Sequence, residues 1–322
     1  MAKRPIPTVY AIVGPTAAGK TAVSIRLAKK VGGEIISGDS RQVYRGLDLG
    51  TGKVTKREMR GVPHHLIDVA NPRTVYSASD YVRDGRQAIE GVLARGKVPI
   101  IVGGTGFYID ALLGRIELAH VEPNQALRKK LERLSLIQLQ SRLTRLDPER
   151  YATIDDKNPR RLIRAIEIAL GTPTRAPPPA RHVHIIWIGL TVPFDELREK
   201  IHKRLVTRMK AGMVAEVKRL HKNGLSWKLM HALGLEYRYL ALYLQKKISK
   251  REMLKELEHE IVRYAKRQMT WFKKNQNITW VSPQEARRTL DNAEGRSPFL
   301  HRAHSHTGTR VRRSPRGTDR SR

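Results

Sequence analysis

Apolar positions follow two rhythms along this chain. Over the first third, short continuous runs rich in β-branched residues alternate with stretches whose apolar positions recur every three or four residues. "TVYAIVG", from Thr8 to Gly14, is a run of the first kind and predicts a strand ending in a glycine-rich turn. "KTAVSIRLAKKV" comes next, with Val23, Leu27 and Val31 at helical spacing. "GEIISGD" (Gly33 to Asp39) and "HHLIDV" (His64 to Val69) predict two further strands. "YSASDYVRDGRQAIEGVLARG" predicts an amphipathic helix, with Ser77 or Ser79 as its cap. "VPIIVGG" (Val98 to Gly104) is apolar throughout, the pattern of a strand buried on both faces of a parallel sheet. Such alternation predicts an α/β fold: a three-layer core built on a parallel sheet.

From about Val121 the rhythm changes. "NQALRKKLERLSLIQLQSRLTRL" and "NPRRLIRAIEIAL" are helical with little strand signal, and "TPTRAPPPARH" (Thr172 to His182) is a proline-rich connector. "HIIWIGL" (His184 to Leu190) returns to strand. Residues 121–182 therefore predict a helical insertion domain inside a core formed by 1–120 and 183–283. Beyond Leu190 helices dominate: "FDELREKIHKRLVTRMKAG", "MVAEVKRLHKNG", "HALGLEYRYLALYLQ" and "KREMLKELEHEIVRYAKRQMTWFKKN". "ITWVS" predicts a last edge strand. Residues 284–322, rich in Arg, Ser, His and Gly, predict a disordered basic tail. No internal repeat is visible.

Composition narrows the classes. The chain has 322 residues, 40% of them hydrophobic, enough for a sizeable core. No run approaches the ~20 apolar residues of a membrane helix, so no membrane partner is expected. The basic N-terminus leads straight into the first strand and lacks the form of a signal peptide. Without cysteine, disulfides and thiolate metal sites are excluded, and a cytoplasmic location is expected. The net charge is +32. The stretch from Ala286 carries ten Arg and three acidic residues, so most of the excess belongs to the ordered part. A polyanionic partner, nucleic acid above all, fits that balance.

The turn after the first strand carries the chemistry. Gly14, Gly19, Lys20 and Thr21 fit the phosphate-loop pattern G-x-x-x-x-G-K-[ST], in the strand–loop–helix setting it requires. Gly14, Pro15, Thr16, Ala17, Ala18, Gly19, Lys20 and Thr21 would cradle phosphate oxygens with backbone N–H groups, Lys20 adding a charge and Thr21 a ligand for Mg²⁺. The loop does not specify the organic part of its ligand. Nucleotide-binding kinases, other ATP-binding enzymes and diphosphate-consuming transferases all stay open. Asp39 and Ser40 end the second strand, where an open α/β sheet places its ligand crevice. There Asp39 either holds Mg²⁺ through water, takes a proton from a nucleophile, or caps a turn.

A set of motifs in order is more specific: "GPTAAGKT", "SGDSRQVYRGLDLGTGK", "GVPHHLIDV", "YSASDY", "IVGGTGFYI", "NPRRLIRAIEI" and "AKRQMTWFKK". From about Val9 to Val281 the sequence resembles the tRNA dimethylallyltransferase family, the isopentenyl-diphosphate:tRNA transferases. That resemblance implies a P-loop NTPase-like core. It implies transfer of a dimethylallyl group from dimethylallyl diphosphate to N6 of the adenosine 3′ of the anticodon, in tRNAs reading codons that start with U. Diphosphate is then a leaving group rather than an energy source. By the same resemblance Asp39 is the general base and Ser40, Arg41 and Gln42 contact the tRNA. Lys20, Thr21 and Mg²⁺ hold the diphosphate. Arg204 reaches it, with Arg208 one helical turn later as second choice. Thr105 contacts tRNA near the target base, and Arg128 contacts it from the insertion. In "NPRRLIR", Arg160, Arg161, Leu162, Ile163 and Arg164 form a tRNA-binding segment whose arginines suit phosphates. The insertion grips the anticodon stem-loop, and the target base leaves its stack to react. A monomer suffices for this.

Other residues read less simply. Thr105 could equally cap a helix, and the Gly-Gly before it permits close approach of a ligand. Phe107 and Tyr108 could line a base channel or pack. In "RYAKRQMTWF", Tyr264, Trp271 and Phe272 read as packing, and some of Arg263, Lys266 and Arg267 as RNA-facing. His64 and His65 form no metal site by themselves, and His301, His304 and His306 in the tail could bind metal only nonspecifically. Glu236, in "HALGLEYRYL", departs from the family's usual glycine and predicts an altered helix contact or tRNA approach. Two other classes compete: a small-molecule kinase, which would consume ATP, and an RNA-binding module with a vestigial loop, against which intact Lys20, Thr21 and Asp39 argue.

Overall fold

A computed structural model describes residues 6–174 and 182–291. They fall into two compact units, 6–115 with 182–291 and 116–174.

The first unit is built on a parallel sheet of six strands among the described residues. In chain order these are β1 (Thr8–Val13), β2 (Gly33–Gly38), β3 (His64–His65), β4 (Val98–Gly103), β5 (His184–Leu190) and β6 (Thr279–Val281). Their order across the sheet is β3-β2-β4-β1-β5-β6. β1, β2 and β4 are almost wholly buried, as their unbroken apolar runs predict. β3 is far shorter than expected: Leu66 and Asp68 take positive φ, which no strand continues.

Helices alternate with the strands. α1 (Lys20–Val31) buries Val23, Leu27 and Ala28 and ends at Gly32 in the left-handed conformation. α2 (Lys56–Met59) is a single turn. α3 (Ala78–Ala94) starts from a reciprocal cap, Ser77 with Asp80, which settles Ser77 over Ser79. α4 is Gly106–Leu112.

The second unit packs α5 (Gln125–Leu131), α6 (Leu136–Leu146), α7 (Pro148–Thr153) and α8 (Pro159–Leu170) around Leu131, Leu139, Leu143, Leu162, Ile163 and Ile166. Asp147 and Asn158 cap α7 and α8, each followed by proline at the first helical position. The unit begins at 116, a few residues before the composition change. Most of the proline-rich connector, 175–181, lies outside the described residues.

The remaining helices belong to the first unit. They are α9 (Phe194–Lys210), α10 (Met213–Lys222), α11 (Trp227–Leu233), α12 (Leu235–Leu244), α13 (Lys250–Phe272) and α14 (Pro283–Asp291). Two departures from expectation occur here. "HALGLEYRYLALYLQ" is not one helix, because Gly234 at φ 153° breaks it into α11 and α12. Residues 284–291, expected to be disordered, belong to α14. Its start is capped by Ser282 and Glu285, and Ala286 and Leu290 are buried in the cluster that holds α1. Two apolar positions four apart are too sparse to stand out in a basic stretch. The rest of the tail, with His301, His304 and His306, lies outside the described residues.

Candidate active site

The phosphate loop connects β1 to α1, where the chain must turn sharply before the helix begins. Ala17 and Gly19 both adopt positive φ. Lys20 curls back, its Nζ donating to the carbonyls of Gly14 (3.0 Å) and Pro15 (2.7 Å). Burial and, to a lesser degree, nearby Arg204 lower its pKa to about 7, against the opposing pull of Asp39. Thr21 is exposed on the first turn of α1.

Not every loop amide is free for a ligand. The Thr16 N–H donates to Gln268 Oε1 at 2.8 Å, and Gln268 Nε2 donates to the Gly104 carbonyl at 2.9 Å. Gln268 is buried on α13 and ties the phosphate loop to the end of β4. A Cβ at Gly104 would stand 2.1 Å from its amide nitrogen, and one at Gly103 would stand 2.0 Å from the Gly38 carbonyl. The Gly-Gly pair is therefore already required by the Gly38 backbone and by Gln268.

Asp39 caps its own turn: Oδ1 accepts from the N–H groups of Arg41 (2.8 Å) and Gln42 (3.4 Å). Capping and chemistry are compatible here, because one carboxylate oxygen orients the group while the other stays available. Thr105 stands at the start of α4 yet makes no side-chain cap bond. Its hydroxyl accepts the Ser40 N–H at 3.0 Å and donates to Ser40 Oγ at 3.3 Å, so it joins the ends of β4 and β2. Tyr264 meets the same hydroxyl, its phenol pushed up to about 12 by burial and by Asp39. The sequence placed Tyr264 in packing; the structure brings it to the site. Trp271 and Phe272 do pack, Trp271 with its indole N–H on Asp110. Tyr108 is buried against Tyr81, whereas Phe107 is exposed.

Arg204 comes from α9. Its guanidinium donates to Thr16 Oγ1 and to the Gly52 carbonyl, both at 3.2 Å. Burial and Arg208 lower its pKa. Arg208, one turn on, donates to the carbonyls of Leu49 and Gly50 and pairs with Glu236 at 3.3 Å. Glu236 thus makes a helix contact, to an arginine beside the site. Gly52 has φ 61°, and a Cβ there would lie 2.0 Å from Arg204. Gln42 also donates to the Gly52 carbonyl, at 3.4 Å. The structure therefore brings together Lys20, Thr16, Asp39, Ser40, Gln42, Thr105 and Arg204. Gln268 and Tyr264 escaped sequence reasoning, since their partners lie more than 150 residues away along the chain.

Within the second unit the expected tRNA residues separate into two groups. Arg160 and Arg161 are exposed at the first turn of α8, where Asn158 accepts both of their N–H groups. Leu162 and Ile163 are a correction: their side chains lie in the helical core and cannot face a partner. Arg128 and Arg164 are both held by Glu167, which is 1% exposed, Arg128 bidentately at 2.9 and 2.7 Å. Arg164 also donates to the Val121 carbonyl. Their forks are spent on holding this unit together. His64 and His65 are likewise structural, bonded to the Val62 carbonyl and to Glu34.

A family model described as IPP transferase matches residues 42–275. The chain belongs to that family. A tRNA dimethylallyltransferase from Exiguobacterium is 44% identical over 280 residues, covering 85% of this chain and 89% of that one. A tRNA dimethylallyltransferase 2 from Treponema denticola is 44% identical over 283 residues, covering 84% and 94%. Among solved structures, the full-length tRNA isopentenylpyrophosphate transferase from Bacillus halodurans has a TM-score of 0.66 at 36% identity, covering 88% of this chain and 94% of its own. A eukaryotic dimethylallyltransferase acting on tRNA has a TM-score of 0.71 at 22% identity, covering 85% and 73%, which supports the fold. The family's structures share a P-loop NTPase-like core, matching the parallel sheet found here.

Proposed function

We propose that this chain is a tRNA dimethylallyltransferase. It moves a dimethylallyl group from dimethylallyl diphosphate to N6 of the adenosine 3′-adjacent to the anticodon, in tRNAs reading codons that start with U, and releases diphosphate. The observation that carries this reading is one carboxylate, Asp39, set beside two part-buried basic side chains, Lys20 and Arg204, at the mouth of a phosphate loop.

The arrangement suits an allylic diphosphate. The C1–O bond breaks with its electron pair going to the diphosphate, whose growing charge meets Lys20, Arg204 and the loop amides. The adenine N6 forms the new bond to C1, and Asp39 takes the proton it sheds. Asp39 enters this step already oriented by the Arg41 and Gln42 amides. Ser40, Arg41, Gln42 and Thr105 border the carboxylate and suit contact with the target nucleotide. Arg160 and Arg161, exposed on the insertion, suit phosphates of the anticodon stem-loop.

The donor set fits Mg²⁺. An exposed Thr21 hydroxyl and a nearby carboxylate complement diphosphate oxygens and water, and no cluster of three acidic or histidine ligands exists among the described residues. Mg²⁺ binds best in such partly protein-free shells and would supply charge neutralisation of the leaving group. No helix among the described residues is long and apolar enough to cross a membrane. A tRNA substrate fits a cytoplasmic location, and one chain carries every group named, so a monomer is sufficient.

The test is label transfer. Purified protein, unmodified tRNA stem-loops, Mg²⁺ and labelled dimethylallyl diphosphate are combined without ATP. Label should enter only RNA that contains the target adenosine. Asp39→Ala should bind RNA normally and lose about 10²-fold or more of turnover, whereas Arg160→Ala should mainly weaken RNA binding. ATP consumption with phosphoryl transfer in place of labelling would return the loop to a kinase.

A further inference from the structure

A buried carboxylate outside the reacting groups organises the arginine side of the site. Glu216, on α10, is 3% exposed. Its Oε2 accepts the N–H groups of Asp48 (3.2 Å) and Leu49 (2.7 Å). Its Oε1 accepts the Gly50 N–H (3.0 Å) and the Tyr237 hydroxyl (2.7 Å). Three successive backbone amides converging on one point form a nest for an anion; here the anion is the protein's own. No basic side chain pairs with Glu216 among the described residues, so the loop amides and Tyr237 offset its burial.

Turning the amides of 48–50 toward Glu216 turns the loop's carbonyls the other way. Leu49 and Gly50 present theirs to Arg208, and Gly52 presents its own to Arg204. Arg204 in turn reaches Thr16 of the phosphate loop. The Tyr237 ring packs against Gly50, where a Cβ would lie 2.4 Å from it, so the loop cannot shift toward α12. The path is continuous: carboxylate, three amides, three carbonyls, two guanidinia, phosphate loop.

We infer that Glu216 is a positioning residue for diphosphate binding, acting through the 48–52 loop to aim Arg204 and Arg208. This rests on the diphosphate reading above. Glu216 touches neither substrate. Two long arginines would otherwise lose considerable side-chain freedom on each binding event; the clasp makes that ordering part of folding.

The experiment is a double-mutant cycle read by calorimetric binding of inorganic pyrophosphate with Mg²⁺, with tRNA affinity measured beside it. Glu216→Gln replaces an acceptor by a donor facing N–H groups. It should weaken pyrophosphate about tenfold and leave tRNA affinity unchanged. Arg204→Ala should weaken it as well. Because the clasp acts through both arginines, Glu216→Gln added to the Arg204→Ala/Arg208→Ala pair should be no worse than that pair alone. Additive losses, equal loss of tRNA affinity, or undiminished pyrophosphate binding by Glu216→Gln would overturn the inference. Tyr237→Phe keeps the ring and removes one donor; it should show a smaller loss with the same non-additivity, and serves if Glu216→Gln does not fold. Amide exchange separates the two layers. Faster exchange at 48–50 in Tyr237→Phe supports the clasp, and unchanged exchange overturns it, whereas wild-type protein indifferent to pyrophosphate refutes the diphosphate reading beneath.

Discussion

Lys20 folds onto the carbonyls of its own loop, and the consequence is a protonation event. With its pKa lowered to about 7 by burial and by Arg204, the free amine is mostly neutral at pH 8. A bound diphosphate favours the charged form and raises the pKa. Binding at pH 8 should therefore take up close to one proton, and affinity should fall as pH rises above about 7. Calorimetry in buffers of different ionisation enthalpy reads that uptake; Lys20→Met should lose it, and an uptake equal in both proteins would place the proton elsewhere. At this scale the sequence was legible wherever a motif is local. The phosphate loop and the Asp39–Gln42 turn are contiguous, and their residues meet as the spacing implies. Gln268 and Glu216 were not legible, because an isolated buried Gln or Glu on an amphipathic helix looks like any polar position until distant backbone amides close on it.

Single helices show the same divide between local and distant causes. Capping made the start of α3 readable, since Ser77 and Asp80 lie three apart. The break at Gly234 was hidden, because the apolar rhythm continues across it. In the insertion, "NPRRLIR" was read as one contact segment, although helical spacing turns Leu162 and Ile163 inward while Arg160 and Arg161 stay out. Arg128 and Arg164 converge on Glu167, whose folded pKa lies below its ordinary value because the two arginine forks and the Asn124 amide outweigh its burial. Glu167→Ala should thus strand two half-buried cations and destabilise this helical unit by about 3 kcal/mol. Exchange protection of amides in α5 and α8 reads this directly; protection equal to wild type would show the cluster to be dispensable.

Over the whole molecule, the parallel α/β class and the six strands were legible from alternating rhythms, and the helical insertion from the loss of strand signal after Val121. The order of the strands was not, since nothing local says that β1 lies between β4 and β5. That order has a consequence for synthesis. β1 leaves the ribosome long before one of its two neighbours, which begins only at His184, after the entire insertion. Until then the central strand of the sheet has one bare edge of unpaired N–H and C=O groups on a largely apolar strand, the kind that invites pairing with another chain. A chain ending at residue 181 should accordingly be insoluble or chaperone-bound, and one extended through residue 291 soluble, as fractionation of the two translation products would show. The insertion sets how long the nascent protein must wait with its sheet half closed.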